Sequence, residues 1–212
     1  VLLAARLQHP HIVPVLGAGD ANGLPWFSMP FVEGESVRAR LAKGPLAIGE
    51  VISILRDVAR ALAFAHANGV VHRDIKPDNV LLAAGSATVT DFGIAKAISA
   101  SRTVAPGGTL TVAGTSIGTP AYMAPEQAAG DPATDHRADF YSFGILAYEL
   151  LSGQTPFHGL PPARMLAAQL SERPRDIREI RPDTPAALAQ LVMRCLEKSP
   201  DDRPQQGADI VK

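Results

Sequence analysis

The residues whose side chains could most clearly take part in a chemical reaction lie in one short segment, 72–79, which reads HRDIKPDN. Asp74 and Asn79 are five residues apart on a predicted tight loop, and Lys76 lies between them. A carboxylate can accept the proton of a hydroxyl group, an ammonium group can neutralise a phosphate, and an amide oxygen can bind a hard cation. The segment therefore carries the groups needed to deprotonate a hydroxyl beside a phosphate and a metal ion.

Two further motifs follow along the chain. Asp91-Phe92-Gly93 begins twelve residues beyond Asn79 and places a second anionic oxygen at the end of a predicted strand, before a glycine that permits a sharp change of direction. Residues 118–126 read GTPAYMAPE. Each motif alone is weak, but the three motifs in this order and at this spacing form a specific signal.

The ordered set resembles the motifs of the eukaryotic-like protein kinases, over essentially the whole chain. The resemblance is strongest to the bacterial Ser/Thr kinases, because of Gly118-Thr119, the run Pro125-Glu126-Gln127 and a composition rich in Ala, Arg and Pro. A lysine at position 76 is the Ser/Thr form of this loop, since tyrosine kinases carry Ala-Ala-Arg in that region. The resemblance implies an ATP-dependent enzyme that transfers the γ-phosphoryl group to Ser or Thr hydroxyls of proteins.

The family's catalytic roles can be carried over to individual positions. Asp74 would be the catalytic base that orients and deprotonates the acceptor hydroxyl, and Lys76 would hold the transferring phosphate. Asn79 and Asp91 would bind Mg²⁺, which bridges the phosphates of ATP. Thr119 would contact Asp74 and Lys76 and help to shape the acceptor site.

The resemblance also implies where adenine binds. The predicted strand Trp26–Val32 would lead into the hinge between two lobes, with Met29 as the gatekeeper and the backbone of Phe31 and Val32 as hydrogen-bonding partners of the base. Leu81 would form the floor of the pocket. Plain core packing of these apolar side chains is the alternative, and it is compatible with the first interpretation because a purine pocket is mostly apolar wall.

Four more positions correspond to structural features of the family. Glu126 and Arg203 resemble a buried ion pair that ties the activation segment to the last helices. Asp139 would cap the backbone of the catalytic loop from the central helix. Tyr141 stands where this helix usually carries a tryptophan, a departure that leaves the expected fold unchanged.

The resemblance points to regulation by phosphorylation. Arg73 directly precedes Asp74, and in this family such an arginine marks kinases that are activated by phosphorylation of the activation segment. The segment offers several hydroxyls, of which Thr109, Thr111 and Thr115 are the preferred targets, and autophosphorylation between two copies of the chain is expected. The alternative is a solvated linker of low complexity.

The elements that must position these residues form an α+β arrangement, with a few strands followed mainly by helices. Apolar residues recur every three or four positions from Ile48 to Asn68 and predict a long helix closed by Gly69. Strands are predicted at Ile12–Leu16, Trp26–Val32, Val70–Val71, Val80–Leu82 and Thr88–Thr90, and further helices at Ser36–Lys43, Asp139–Ser152, Pro162–Gln169, Thr184–Lys198 and from Gln206 onward.

By resemblance the fold is protein-kinase-like. Residues 33–212 would form the helical C-lobe, with the catalytic loop at 72–79 and the activation segment at 91–126. Residues 1–32 would form a partial N-lobe and the hinge, comprising the end of the family's helix C and its fourth and fifth strands.

Composition excludes several classes of partner. Twenty basic and 21 acidic residues give a net charge of -1, so nucleic acid is not an expected partner. Apolar runs such as Gly144–Leu151 are too short to cross a bilayer, so no membrane segment is expected within the chain. One cysteine allows neither a disulfide framework nor a zinc site and favours a cytoplasmic location, although the parent protein could be anchored by a segment outside this sequence.

The phosphate-binding elements of a kinase N-lobe are absent from the sequence. It contains no G-x-G-x-x-G and no V-A-I-K motif, and the helix glutamate that pairs with the lysine of the latter would fall just before Val1. We expect a truncated kinase domain with weak activity of its own. One alternative is a non-catalytic kinase-like interaction module; another is a small-molecule phosphotransferase such as an aminoglycoside kinase, against which the A-P-E motif and the long activation loop argue.

Overall fold

Two long helices form the centre of the chain. The structure, a computed structural model, describes residues 7–22, 24–92 and 120–211. Within these ranges the α-helices are α1 (Val37–Ala42), α2 (Ile48–Ala67), α3 (Pro125–Ala128), α4 (Arg137–Ser152), α5 (Pro162–Ser171), α6 (Ile177–Ile180), α7 (Ala186–Cys195) and α8 (Ala208–Val211). Short 3-10 helices lie at Pro77–Asn79, Pro120–Tyr122 and Pro200–Asp202.

The helix α4 is the core element. Every residue from Ala138 to Leu151 is buried, including the polar Asp139 and Ser142. A helix that is buried on all sides must lie between other elements, and α2 and α7 pack on opposite parts of it. Gly144 allows the close approach of α7, since a Cβ atom there would lie 2.7 Å from Cβ of Cys195.

The strands of the described ranges form two small antiparallel sheets. In the first, β1 (Gly17–Ala21) pairs with β2 (Leu24–Ser28). The second has the order β3 (Glu35–Ser36), β4 (Val80–Ala83), β5 (Ser86–Val89). The expected α+β class is therefore confirmed, and no described helix is both long enough and apolar enough to span a membrane.

The predicted long helix is confirmed almost to the residue. The helix α2 runs from Ile48 to Ala67, Asn68 is its C-cap, and Gly69 follows with φ +71°. Its apolar stripe is buried, with Val51, Val58 and Leu62 fully inaccessible. The position of Gly69 follows from its conformation, because a left-handed φ is easily adopted only without a Cβ atom.

Two predicted strands are wrong. Residues 12–16 precede the first strand, which begins at Gly17, and Ile12 makes only an isolated bridge to Val89. Of these residues only Ile12 and Val13 are buried, where the segment runs beside β5 and the Val13 N–H donates to the Val89 carbonyl at 2.9 Å. Val70 is likewise outside any strand, and its N–H donates to the Ala65 carbonyl to close α2.

Other boundaries differ slightly from the predictions. The strand expected at Trp26–Val32 covers Leu24–Ser28, and the strand expected at Thr88–Thr90 covers Ser86–Val89. The helix expected at Thr184–Lys198 covers Ala186–Cys195. The end of helix C, expected at the start of residues 1–32, falls almost wholly outside the described residues.

The segment after the predicted hinge is held against β4. At Gly34 an added Cβ atom would lie 2.1 Å from the Leu82 carbonyl oxygen, so only glycine allows this approach. Two residues later, Ser36 pairs with Leu81 in the second sheet. The predicted hinge is thereby fixed beside the strand that follows residues 72–79.

Candidate active site

A buried carboxylate holds the start of the catalytic loop. Asp139 Oδ2 accepts the N–H of His72 at 2.8 Å, and its Oδ1 accepts the N–H of Arg73 at 2.7 Å. Arg73 has φ +71°. This conformation costs about 1–3 kcal/mol in a non-glycine residue and persists only where the surroundings enforce it. The expected capping role of Asp139 is therefore confirmed, and the cap also enforces the strained turn.

Asp139 is held in its ionised form. Burial would raise the pKa of this carboxyl group, but the hydrogen bond and charge of His66, the nearby His72 and the N–H of Arg73 together lower the pKa below its ordinary value. His66 Nε2 lies 2.8 Å from Asp139 Oδ2. The helix α4 therefore presents an anionic cap to the loop.

The three polar groups of segment 72–79 converge. Lys76 Nζ lies 2.6 Å from Asp74 Oδ2, and Asn79 Nδ2 donates to the same oxygen at 3.1 Å and to the Asp74 carbonyl at 2.8 Å. Asn79 is buried, whereas the side chains of Asp74 and Lys76 are partly exposed. A fixed carboxylate that reaches solvent beside a cation can accept a proton from an incoming hydroxyl group.

Asp91 is brought next to this cluster by the residue before it. The N–H of Thr90 donates to the Asn79 carbonyl at 3.0 Å, and the Thr90 carbonyl oxygen lies 2.8 Å from His72 Nε2. Phe92 is buried with its ring edge against His72, at 4.6 Å between centroids. Asp91 itself has φ +67°, a left-handed conformation that is uncommon in a non-glycine residue. Gly93, at which the motif predicts the sharp change of direction, lies outside the described residues.

The donor set fits Mg²⁺. Asn79 uses its amide nitrogen on Asp74, and its amide oxygen accepts no hydrogen bond from the described residues. The described ranges contain no cluster of three or more His, Cys, Asp or Glu side chains of the kind that would enclose a metal by protein ligands alone. Mg²⁺ is usually held by one or two carboxylates together with substrate phosphates, so an amide oxygen and one carboxylate suit it.

The predicted adenine-binding residues lie along the hinge and on β4. Met29 and Phe31 are 39% and 89% exposed, whereas Val32 and Leu81 are partly buried. The Phe31 side chain is therefore largely open to solvent, and hydrogen bonding of its backbone to adenine stays a prediction.

Sequence reasoning missed Thr90, whose hydroxyl donates to Met29 Sδ at 3.3 Å. This contact ties the hinge strand to the residue that precedes Asp91. Thr119, the remaining predicted catalytic residue, lies outside the described residues.

A second cluster missed by sequence reasoning holds the acceptor segment, which we define as residues 120–124. Arg38 Nη1 lies 2.7 Å from Glu149 Oε1, and the Tyr122 hydroxyl bonds to both side chains. Burial raises the pKa of Tyr122, and the charge of Glu149 raises it further. Arg38 and Glu149 are 111 residues apart, and no motif connects them in the sequence.

The comparisons with known proteins agree with this geometry. The family model for the protein kinase domain matches residues 1–210. Serine/threonine-protein kinase PknD of Mycobacterium tuberculosis is 40% identical over 210 residues, which are 98% of this chain and 30% of that protein. Serine/threonine-protein kinase pkn2 of Myxococcus xanthus is 37% identical over 216 residues, 98% of this chain and 25% of that protein.

A solved structure gives the same result. The crystal structure of the PknI kinase domain of Mycobacterium tuberculosis matches 99% of this chain and 73% of that chain, with a TM-score of 0.74 and 32% identity. The chain thus spans about 30% of the length of PknD and most of one solved kinase domain. On the family match and these relatives, the chain belongs to the protein kinase domain family.

Proposed function

We propose that this chain carries the catalytic loop of an ATP-dependent protein kinase that phosphorylates Ser and Thr residues of proteins. One observation carries the proposal: Asp74 Oδ2 lies 2.6 Å from Lys76 Nζ and 3.1 Å from Asn79 Nδ2, within a loop fixed by Asp139. The names of the relatives, which are Ser/Thr protein kinases, support the same activity.

In this proposal Asp74 is the general base. Its carboxylate accepts the proton of the acceptor hydroxyl, a role that contributes roughly 10²–10⁴-fold to rate. Lys76 balances the negative charge of the γ-phosphoryl group, since its ammonium already lies against Asp74.

Asn79 and Asp91 hold Mg²⁺ in the same proposal. When bound, the metal ion neutralises charge on the phosphates of ATP. The protein's contribution is to orient the two ligands: Asn79 through its bonds to Asp74, and Asp91 through the link from Thr90 to the Asn79 carbonyl.

The adenine and acceptor sides follow from the remaining residues. Met29 and Leu81 supply apolar wall, and the backbone of Phe31 and Val32 supplies the hydrogen bonds to the base. Thr119 helps to position the protein acceptor beside Asp74. We place this activity in the cytoplasm, because the one cysteine of the chain is buried and unpaired.

The test is phosphoryl transfer by the full-length gene product. It is incubated with Mg²⁺ and ATP labelled at the γ-phosphate, with peptides whose single hydroxyl residue is Ser, Thr or Tyr. We expect label on the Ser and Thr peptides and loss of transfer in Asp74→Asn.

Asp78→Asn is the matched control, because it makes the same chemical change in the same loop at an exposed carboxylate. Absence of transfer would favour a non-catalytic module. Label found only on a small-molecule hydroxyl would favour a small-molecule kinase.

A further inference from the structure

A line of hydrogen bonds joins the acceptor segment to the far end of the helical lobe. Gln169, on α5, donates from Nε2 to the Ala121 carbonyl at 2.8 Å and accepts the hydroxyl hydrogen of Tyr141 at Oε1. Lys198, which follows α7, donates to the Tyr141 hydroxyl oxygen at 3.1 Å. The line therefore connects α5, α4 and the segment after α7 to residues 120–124, which directly follow Thr119, the residue proposed to position the protein acceptor.

A buried glutamine side chain at position 169 destabilises the fold unless its amide group is hydrogen-bonded. Gln169 is 1% exposed, and a buried amide without hydrogen-bond partners destabilises a protein. Both ends of the amide are bonded here, one as donor and one as acceptor. The Tyr141 hydroxyl likewise donates once and accepts once, so the direction of every bond in the line is fixed.

Lys198 sets this direction. Its ammonium can only donate, and it lies over the rings of Tyr141 and Phe157 at 5.4 and 5.2 Å from their centroids. The Tyr141 hydroxyl must therefore point its hydrogen towards Gln169, which leaves the Gln169 N–H group facing Ala121. A hydrogen bond to a charged donor also polarises the next bond in line and strengthens it.

The line ends at the backbone carbonyl of Ala121, in the acceptor segment. Ala121 lies in the 3-10 turn Pro120–Tyr122, and the next carbonyl, of Tyr122, accepts the Ser142 hydroxyl at 2.8 Å. Two consecutive carbonyls of the acceptor segment are thus held by buried side chains of the helical lobe. These bonds hold the backbone of the acceptor segment against α5 and α4, and α4 also carries Asp139, which holds the start of the catalytic loop.

We propose that Gln169 is a positioning residue for protein substrates: by holding the Ala121 carbonyl it fixes the acceptor segment, and Tyr141 and Lys198 orient its amide. This inference rests on the proposed function and goes beyond it by naming the group on α5 that sets the affinity for the acceptor. It concerns binding of the protein substrate and leaves ATP binding unaffected.

Two substitutions separate the contacts. Gln169→Glu keeps an acceptor for Tyr141 but removes the N–H that holds Ala121, whereas Gln169→Met fills the same volume and removes both bonds. Val192→Ala is the control for stability, because Val192 is fully buried in α7 and contributes no hydrogen bond to the line. Loss of one buried hydrogen bond corresponds to about a five- to tenfold change in an equilibrium constant.

The kinetic experiment uses the full-length gene product with a Ser peptide. In Gln169→Glu and Gln169→Met we expect the KM for peptide to rise about five- to tenfold while the KM for ATP stays unchanged. Val192→Ala should change neither KM, even where it lowers the melting temperature as much. An active wild type with an unchanged peptide KM in both Gln169 variants overturns the inference.

Hydrogen–deuterium exchange gives a readout that needs no activity. Peptides covering residues 120–128 should exchange faster in both Gln169 variants than in wild type and in Val192→Ala. Equal exchange in all four proteins overturns the inference whether or not the wild type phosphorylates anything. A wild type that transfers no phosphate contradicts the proposed function instead, so the two failures are distinguishable.

Discussion

Arg203 and Glu126 form a bidentate ion pair across 77 residues of sequence. Nη1 and Nη2 of the arginine lie 2.6 and 2.8 Å from the two carboxylate oxygens. Arg203 is fully buried and also donates to the carbonyls of Glu197, Arg137 and Lys198. The pair joins α3, directly after the acceptor segment, to the turn before α8, as the family resemblance implies.

Removal of either partner should be costly, because the survivor is a buried charge without its counter-charge. We expect Glu126→Ala and Arg203→Ala each to lower the free energy of unfolding by roughly 3–5 kcal/mol. Arg203→Ala should be the worse, since it also leaves three carbonyls unbonded. The measurement is urea denaturation of the single and double variants.

The double variant should cost less than the sum of the singles. Arg173→Ala is the control, because its side chain is 82% exposed and its contact with Glu197 is 3.4 Å long. Small, additive effects of Glu126→Ala and Arg203→Ala would show that the pair does not stabilise the fold.

Apolar periodicity predicted the helix α2 correctly. It failed where residues are buried by contact with a segment that is distant in the sequence. The helix α2 was predictable because its apolar residues follow the helical period on one face. Ile12 and Val13 are also apolar and buried, but they are buried by a bridge to Val89, so their pattern indicated a strand that does not exist. Periodicity reports which residues are buried and cannot report what buries them.

The same limit applies to the candidate site. The loop around Asp74 was predictable because its residues are contiguous and match a family motif. Arg38 and Gln169 were missed, since their contacts with Glu149 and Ala121 span 111 and 48 residues. Nothing in the local sequence marks a polar side chain that bonds to one distant carboxylate or carbonyl.

Substitutions of Asp74 and Asp91 should change different kinetic quantities. In the full-length gene product, Asp74→Asn should lower kcat by roughly 10²–10⁴-fold with little change in the KM for ATP, because the base acts on the acceptor hydroxyl. Asp91→Asn should instead raise the Mg²⁺ concentration needed for half-maximal rate. Initial rates over a matrix of Mg²⁺ and ATP concentrations distinguish the two, and a kcat within a few fold of wild type for Asp74→Asn contradicts the assignment.

The 212-residue chain by itself should bind nucleotide weakly. It contains no G-x-G-x-x-G motif to cover the phosphates, and its hinge side chains Met29 and Phe31 are open to solvent. Isothermal titration with Mg²⁺-ATP should show affinity well below that of the full-length gene product. Turnover of a generic basic protein near the roughly 1–100 s⁻¹ of kinases would contradict this expectation.

Lys198 should give the fold a pH dependence of defined sign. Burial lowers the pKa of its ammonium to about 8, with Arg203 acting in the same direction and Glu197 and Glu172 opposing. In the unfolded chain a lysine has a pKa of about 10.4, so between these values the unfolded state binds more protons. The lysine's destabilising contribution is therefore complete below about pH 8 and is relieved as the pH rises towards 10.4.

The measurement compares wild type with Lys198→Met by urea denaturation. As the pH is raised through this window, the free energy of unfolding of wild type should increase relative to that of the variant. Lys43→Met, at an exposed lysine, corrects for removal of a lysine from the unfolded chain. Parallel curves for wild type and Lys198→Met would show that the ammonium is not destabilised by burial.

The backbone of Arg73 is held by hydrogen bonds on both sides. Its N–H is held by Asp139 at 2.7 Å, and its carbonyl accepts the side-chain amide of Gln127 at 3.2 Å. Among the described residues its guanidinium forms no ion pair. A cation whose backbone is fixed on both sides, and which lies next to the proposed base Asp74, is suited to bind an anion delivered by another part of the chain.

That anion is expected to be a phosphothreonine of the activation segment, at Thr109, Thr111 or Thr115, all outside the described residues. A phosphate carries about -1.5 to -2 charges at neutral pH and can form charge-assisted bonds with Arg73, which would order the segment beside Asp74.

Mass spectrometry of the full-length gene product after incubation with Mg²⁺-ATP should find phosphate on at least one of the three threonines. Replacement of all three by Ala should lower the rate on other proteins, and Arg73→Ala should lower it to the same level. Arg73→Ala combined with the triple replacement should lower the rate no further. Replacement of Ser99 and Ser101 by Ala is the control and should have no effect. An unmodified segment, or a triple variant with full activity, would leave Arg73 without its proposed partner.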